Sequence, residues 1–81
     1  MDERIREVID RYGKLGTSAA QLDEHADLYQ AGMTSHASVS VMLGLENEFD
    51  VEFPDRMLKR SVFESIASIR AALTEIGELA A

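Results

Sequence analysis

The sequence predicts an all-α fold: a small four-helix bundle with three main helices, one short helix and a long first loop. Three observations carry this. Residues 2–13 and 62–76 both set apolar side chains at helical spacing, and a threonine and serine at 34 and 35 open a third helical stretch reaching Phe49. At 81 residues the chain is long enough for one domain, residues 1–81. A hydrophobic fraction of 46% is that of a globular protein and argues against disorder. With no cysteine, neither a disulfide nor a zinc–thiolate site supports the core. A core of this size supplies only about 3–5 kcal/mol, so helix packing has to hold the fold.

The first helix, residues 2–13, places Ile5, Val8, Ile9 and Tyr12 on one face. Asp2 and Glu3 sit near the positive end of its dipole, and Gly13 and Gly16 supply stop signals. From Lys14 to Met33 no period is visible. Loops beyond about 12–15 residues are uncommon in compact domains, so Leu15, Leu22, Leu28, Tyr29 and Met33 must pin this one, and it has room for one helical turn. Asp23, Glu24 and His25 are adjacent on the loop; neighbours of this kind rarely converge on one ion, and they read as solvated.

Thr34 is suited to cap the next helix, which places Ser35 at its first position and its end at Phe49 or Asp50. Its apolar residues fall on two sides. Val41, Met42, Leu45 and Phe49 form a core face, whereas Val39 and Leu43 lie nearly opposite, with His36, Ser40 and Asn47. One helix of a small bundle cannot easily bury both faces. The second face is therefore expected to be exposed and to form a docking surface near Ser35. After an extended link and Pro54, residues 55–59 suit a short helix with Met57 and Leu58 turned inward. Ser61 to Glu64 matches a capping box and should start the last helix, whose stripe is Val62, Ile66, Ile69, Leu73 and Ile76. Gly77 is expected to end it, with a tail to Ala81 that frays.

Fifteen acidic residues against eight basic ones give a net charge of −7, which disfavours nucleic acid and favours a basic protein partner. No apolar run approaches the roughly 20 residues of a membrane span, and the charged N-terminus has no signal-peptide core. A cytoplasmic, membrane-free monomer is the expectation.

Asp27-Leu28, then Gly32-Met33-Thr34-Ser35-His36, then Leu45-Glu46-Asn47-Glu48-Phe49 and Phe53-Pro54-Asp55 together resemble the acyl carrier protein family over about residues 5–76. Thr34 stands where that family usually has Asp, and His36 where it usually has Leu. Threonine still caps a helix, while His36 changes the surface that partners touch. The first two turns from His36 to Leu43 hold no acidic residue, so a standard fatty-acid partner should dock poorly. The Gly32 to Val39 run looks most like stand-alone bacterial carriers charged by truncated, synthetase-like amino acid:carrier protein ligases.

The resemblance implies a 4′-phosphopantetheine arm on Ser35, attached by a phosphopantetheinyl transferase from coenzyme A. It implies an amino acid accepted from its adenylate as a thioester, and an unidentified downstream acceptor. Thr34, His36, Val39, Ser40, Leu43 and Asn47 are the expected partner contacts. Such a chain is a carrier and needs no catalytic group of its own. Rival readings are a carrier of fatty-acyl, polyketide or nonribosomal peptide intermediates, and an unmodified acidic helical adaptor acting through Val39 and Leu43. A hydrolase built on Ser35 and His36 is disfavoured, because adjacent helical residues point about 100° apart.

Overall fold

The computed structural model describes residues 1–80, with side chains to Gly77. Among the described residues every regular element is helical: α1 (Asp2–Tyr12), a 3-10 turn (Ala19–Gln21), α2 (Ser35–Phe49), a second 3-10 turn (Asp55–Met57), α3 (Arg60–Phe63) and α4 (Ile66–Ala80). Helix α1 packs against both α2 and α4, and α3 against α4. Ile5, Ile9, Leu28, Val41, Leu45, Ile66 and Ile69 are fully buried and form the centre of the core. Phe53 and Phe63 meet edge-on with ring centroids 5.3 Å apart, closing the end where the link after α2 meets α3. No helix of the described residues is long and apolar enough to cross a membrane.

The long loop is held by apolar anchors and by hydrogen bonds. Leu28 and Met33 are buried, with Leu15, Leu22 and Tyr29 packed against the core, as their spacing along the loop requires. Arg6 of α1 donates to the carbonyls of Ala19 and Leu22 at 2.5 and 2.6 Å, and Asp10 accepts from the Ala19 amide at 2.6 Å. Arg70 of α4 reaches both Asp2 and Glu24 at 2.7 Å. Its guanidinium is held above its ordinary range, first by the hydrogen bond to Glu24 and then by the charge of Asp2. Glu24 thus ties the loop to α4, while the Asp23 carboxylate accepts from the His25 amide at 2.8 Å.

Three details differ from the sequence expectation. The segment from 60 to 80 is two helices, not one begun by Ser61 and Glu64. The Glu64 carbonyl accepts from the Leu28 amide at 2.7 Å and is withdrawn from a helical ladder. The Ser68 amide donates to Ser65 Oγ and the Ser65 amide to Ser68 Oγ, so the reciprocal cap that opens α4 lies at Ser65 and Ser68. Leu58 is not inward: the short helix is a three-residue 3-10 turn that buries Met57 and leaves Leu58 exposed. Gly77 does not end α4, which continues to Ala80. Nothing at Gly77 adopts the left-handed conformation of a stop, and a helical glycine costs only about 1 kcal/mol. The expected fraying reaches Ala81, which lies outside the described residues.

Candidate functional site at the start of helix α2

The approach to α2 is built by local hydrogen bonds that follow from residue type. Asp27 accepts from the amides of Tyr29 and Gln30 through Oδ1, and its carbonyl accepts from Ala31, which winds residues 27–31 into a turn. Leu28 plugs the core beneath that turn, and its carbonyl accepts from the Met33 amide at 3.0 Å. Gly32 then adopts φ +120°, a conformation that a side chain would strain. Thr34 is extended (φ −80°, ψ 165°), and its Oγ1 accepts from the Ala37 amide at 3.0 Å. The chain therefore enters the helix with Ser35 as its first residue, and Ser35 is exposed.

At this helix start the amides of Ser35 and His36 have no protein acceptor among the described residues. Such free N–H groups, together with the helix dipole, favour a negative group on the neighbouring hydroxyl. No carboxylate lies in the first turn to oppose one. Ser38 Oγ donates to the Ser35 carbonyl at 2.7 Å and occupies that acceptor, while Ser35 Oγ makes no hydrogen bond to the described residues.

A groove of about 460 Å³ opens beside Ser35, between α2 and residues 58–63. Tyr29, Val39, Met42 and Phe63 line it together with Leu58, Lys59 and Arg60 from the segment before and within α3. The Arg60 guanidinium lies 4.0 Å from the centroid of the Tyr29 ring. Ser35 and Val39 line the groove, and Leu43, one turn beyond Val39, is exposed, as the helical plot requires. His36 is exposed but outside the groove lining, Thr34 has its hydroxyl engaged in the cap, and Ser40 is half-buried. Asn47 is exposed but lies about 18 Å further along the helix than Ser35, at 1.5 Å per residue. Sequence reasoning did not find Leu58, Lys59 and Arg60. The adjacent cations in an acidic chain were the available signal, but their distance from Ser35 in sequence concealed it.

An exposed hydroxyl at a helix start, with free amides around it, suits the covalent attachment of a negatively charged group. The pattern of the family described as "Phosphopantetheine attachment site" matches residues 3–75, and the chain belongs to that family. Its members bear 4′-phosphopantetheine, a group whose phosphodiester suits the geometry at Ser35. The chain is 48% identical over 69 residues to the aminoacyl carrier protein of Agrobacterium fabrum, covering 85% of this chain and 83% of that one. It also superposes on the Agrobacterium tumefaciens carrier protein solved with an engineered Bradyrhizobium japonicum glycine:[carrier protein] ligase and AMP. That match has a TM-score of 0.89 and 44% identity over 91% of this chain and 99% of that one. A chain of the B. japonicum ligase complex with glycylated carrier protein matches with a TM-score of 0.74 and 28% identity, over 88% of this chain and 95% of the other.

Proposed function

We propose that residues 1–81 form one carrier domain in which Ser35 bears the 4′-phosphopantetheine arm and presents an amino acid to partner enzymes. The observation that carries this reading is the exposed Ser35 hydroxyl at the first residue of α2, in a chain 48% identical to an aminoacyl carrier protein. Ser35 Oγ attacks the β-phosphorus of coenzyme A, held by a phosphopantetheinyl transferase. A new Oγ–P bond forms, the P–O bond to the nucleotide breaks, and the hydroxyl proton leaves with adenosine 3′,5′-bisphosphate. When bound, the arm supplies a thiol that holds the amino acid as a thioester.

The chain's own residues do the rest. Thr34 and Gly32 fix where the hydroxyl emerges, and the amides of Ser35 and His36 offset the phosphodiester charge. Val39 and Leu43, flanked by His36, Ser40 and Asn47, form the face that an amino acid:carrier protein ligase and the downstream acceptor touch. A rigid base with a long arm raises the effective concentration of the amino acid at the acceptor's site. The chain acts in the cytoplasm as a monomer.

The test is intact mass. Chain co-expressed with a phosphopantetheinyl transferase should gain the mass of one arm. It should then gain one amino acid when incubated with glycine, ATP and the B. japonicum glycine:[carrier protein] ligase. Ser35→Ala should gain neither. A wild-type chain that stays unmodified beside an active transferase, or a Ser35→Ala chain that is still loaded, overturns the proposal. Retention of full function in Ser35→Ala would favour the adaptor.

A further inference from the structure

The surface beside Ser35 carries charge of the opposite sign to the rest of the molecule. The chain has a net charge of −7, yet Lys59 and Arg60 border the groove and no carboxylate of the described residues lines it. Helix α2 has no acidic residue before Glu46. Among the described residues, Arg4, Arg56 and Arg70 are paired with carboxylates, whereas Lys59 and Arg60, like Arg6, Arg11 and Lys14 elsewhere on the chain, form no ion pair. Arg60 instead stacks on Tyr29, which holds its charge at the groove. Val39 and Leu58 line the same groove as these cations and Leu43 lies one helical turn beyond Val39; Val39, Leu58 and Leu43 are exposed by 52, 47 and 56% respectively. Among the described residues they are, with Met1, the large hydrophobic side chains that the fold leaves in solvent.

We propose that Val39, Leu43 and Leu58 with Lys59 and Arg60 form one docking face for a protein whose own contact surface is apolar and rimmed by Asp or Glu. On the reading above, that protein is the ligase that loads the chain. Apolar side chains are covered by apolar side chains, and two unpaired cations at their edge are matched by carboxylates. A polyanion such as nucleic acid meets a chain of net charge −7 and gains nothing from the exposed aliphatic side chains. A second copy of the chain meets the same repulsion. The match is local: at about 0.15 M salt, charges beyond roughly 8 Å are screened, so the two cations act at contact while the net charge acts weakly. The sign is the reverse of the basic partner that total charge alone suggests.

The experiment uses the unmodified chain, so its outcome is independent of whether an arm is attached at Ser35. The ¹⁵N-labelled protein is titrated with the B. japonicum glycine:[carrier protein] ligase. Amide shifts should concentrate at Val39, Leu43 and residues 58–60. The Kd should rise about tenfold in Lys59→Glu/Arg60→Glu and by less in Lys59→Gln/Arg60→Gln. It should stay near wild type in Lys59→Arg/Arg60→Lys. The gap between wild type and the Glu variant should shrink between about 0.05 and 0.5 M salt. The amide spectrum away from the face reports whether each variant is folded, and the Gln pair stands in if the Glu pair is not. No binding, shifts elsewhere, unchanged or tighter binding by the Glu pair, or self-association of the wild-type chain through this face would overturn the proposal.

Discussion

Helices α2 and α4 are both 15 residues long, yet they divide their surfaces differently. Helix α4 buries Ile66, Ile69, Ala72, Leu73 and Ile76 and turns Thr74 and Glu75 outward, with Arg70 holding the loop from its flank. It has one apolar side, and the fold covers it. Helix α2 buries Ala37, Val41, Gly44 and Leu45 but keeps Val39 and Leu43 in water. Burying apolar area is worth roughly 25 cal/mol per Å², so that second side is a reserve available to a partner. The glycines show the same division. A Cβ on Gly44 would sit 2.6 Å from the Tyr12 ring, because α1 crosses α2 closely there, whereas none of the described residues lies within 4 Å of one on Gly77. One helix serves packing alone; the other serves packing and presentation.

Substitutions can break or sharpen this contrast. The largest effect should come from the shared core. Leu45→Ala in α2 and Ile69→Ala in α4 should each cost about 2–5 kcal/mol in urea unfolding, enough to unfold much of so small a domain. A difference between them well beyond that range would deny that the two buried sides are equivalent. Next is Gly44→Ala, which should cost about 1–3 kcal/mol by displacing Tyr12; Tyr12→Ala in the same chain should reduce that increment. Gly77→Ala should instead stabilise by up to about 1 kcal/mol, a change of sign that thermal melts would read directly. Thr34→Ala should cost about 1 kcal/mol through loss of the cap, and Thr34→Asp should restore most of it. The smallest change in stability belongs to Val39→Ala and Leu43→Ala, within about 0.5 kcal/mol. Those two should weaken ligase binding all the same, and a large loss of stability without a loss of binding would erase the distinction.

Much of this was legible because it depends on neighbours in sequence. Thr34 before Ser35 announces a cap, and Ile66, Ile69, Leu73 and Ile76 announce a buried stripe, since each signal lies within a few turns of one helix. The exposed pair Val39 and Leu43 followed from the angular plot of α2 alone. The errors arose where distant backbone competes with a local pattern. Ser61 and Glu64 satisfy the capping-box spacing, but Leu28, far away in sequence, takes the Glu64 carbonyl, and the cap of the last helix lies at Ser65. Glu46 likewise accepts from the Phe53 amide at 2.9 Å, a tie that holds the link after α2 and has no signature in spacing.

The residues by themselves determined α1, α2, the buried stripe of α4, the two-sided character of α2 and the family, because periodicity, capping chemistry and a contiguous motif are properties of short stretches. Tertiary structure alone decided that Leu58, Lys59 and Arg60 stand across a groove from Ser35, and that Arg70 and Leu28 tie the loop to α4 and to the turn before it. Proximity between segments far apart in the chain is set by how buried faces pack together, and no local pattern encodes it.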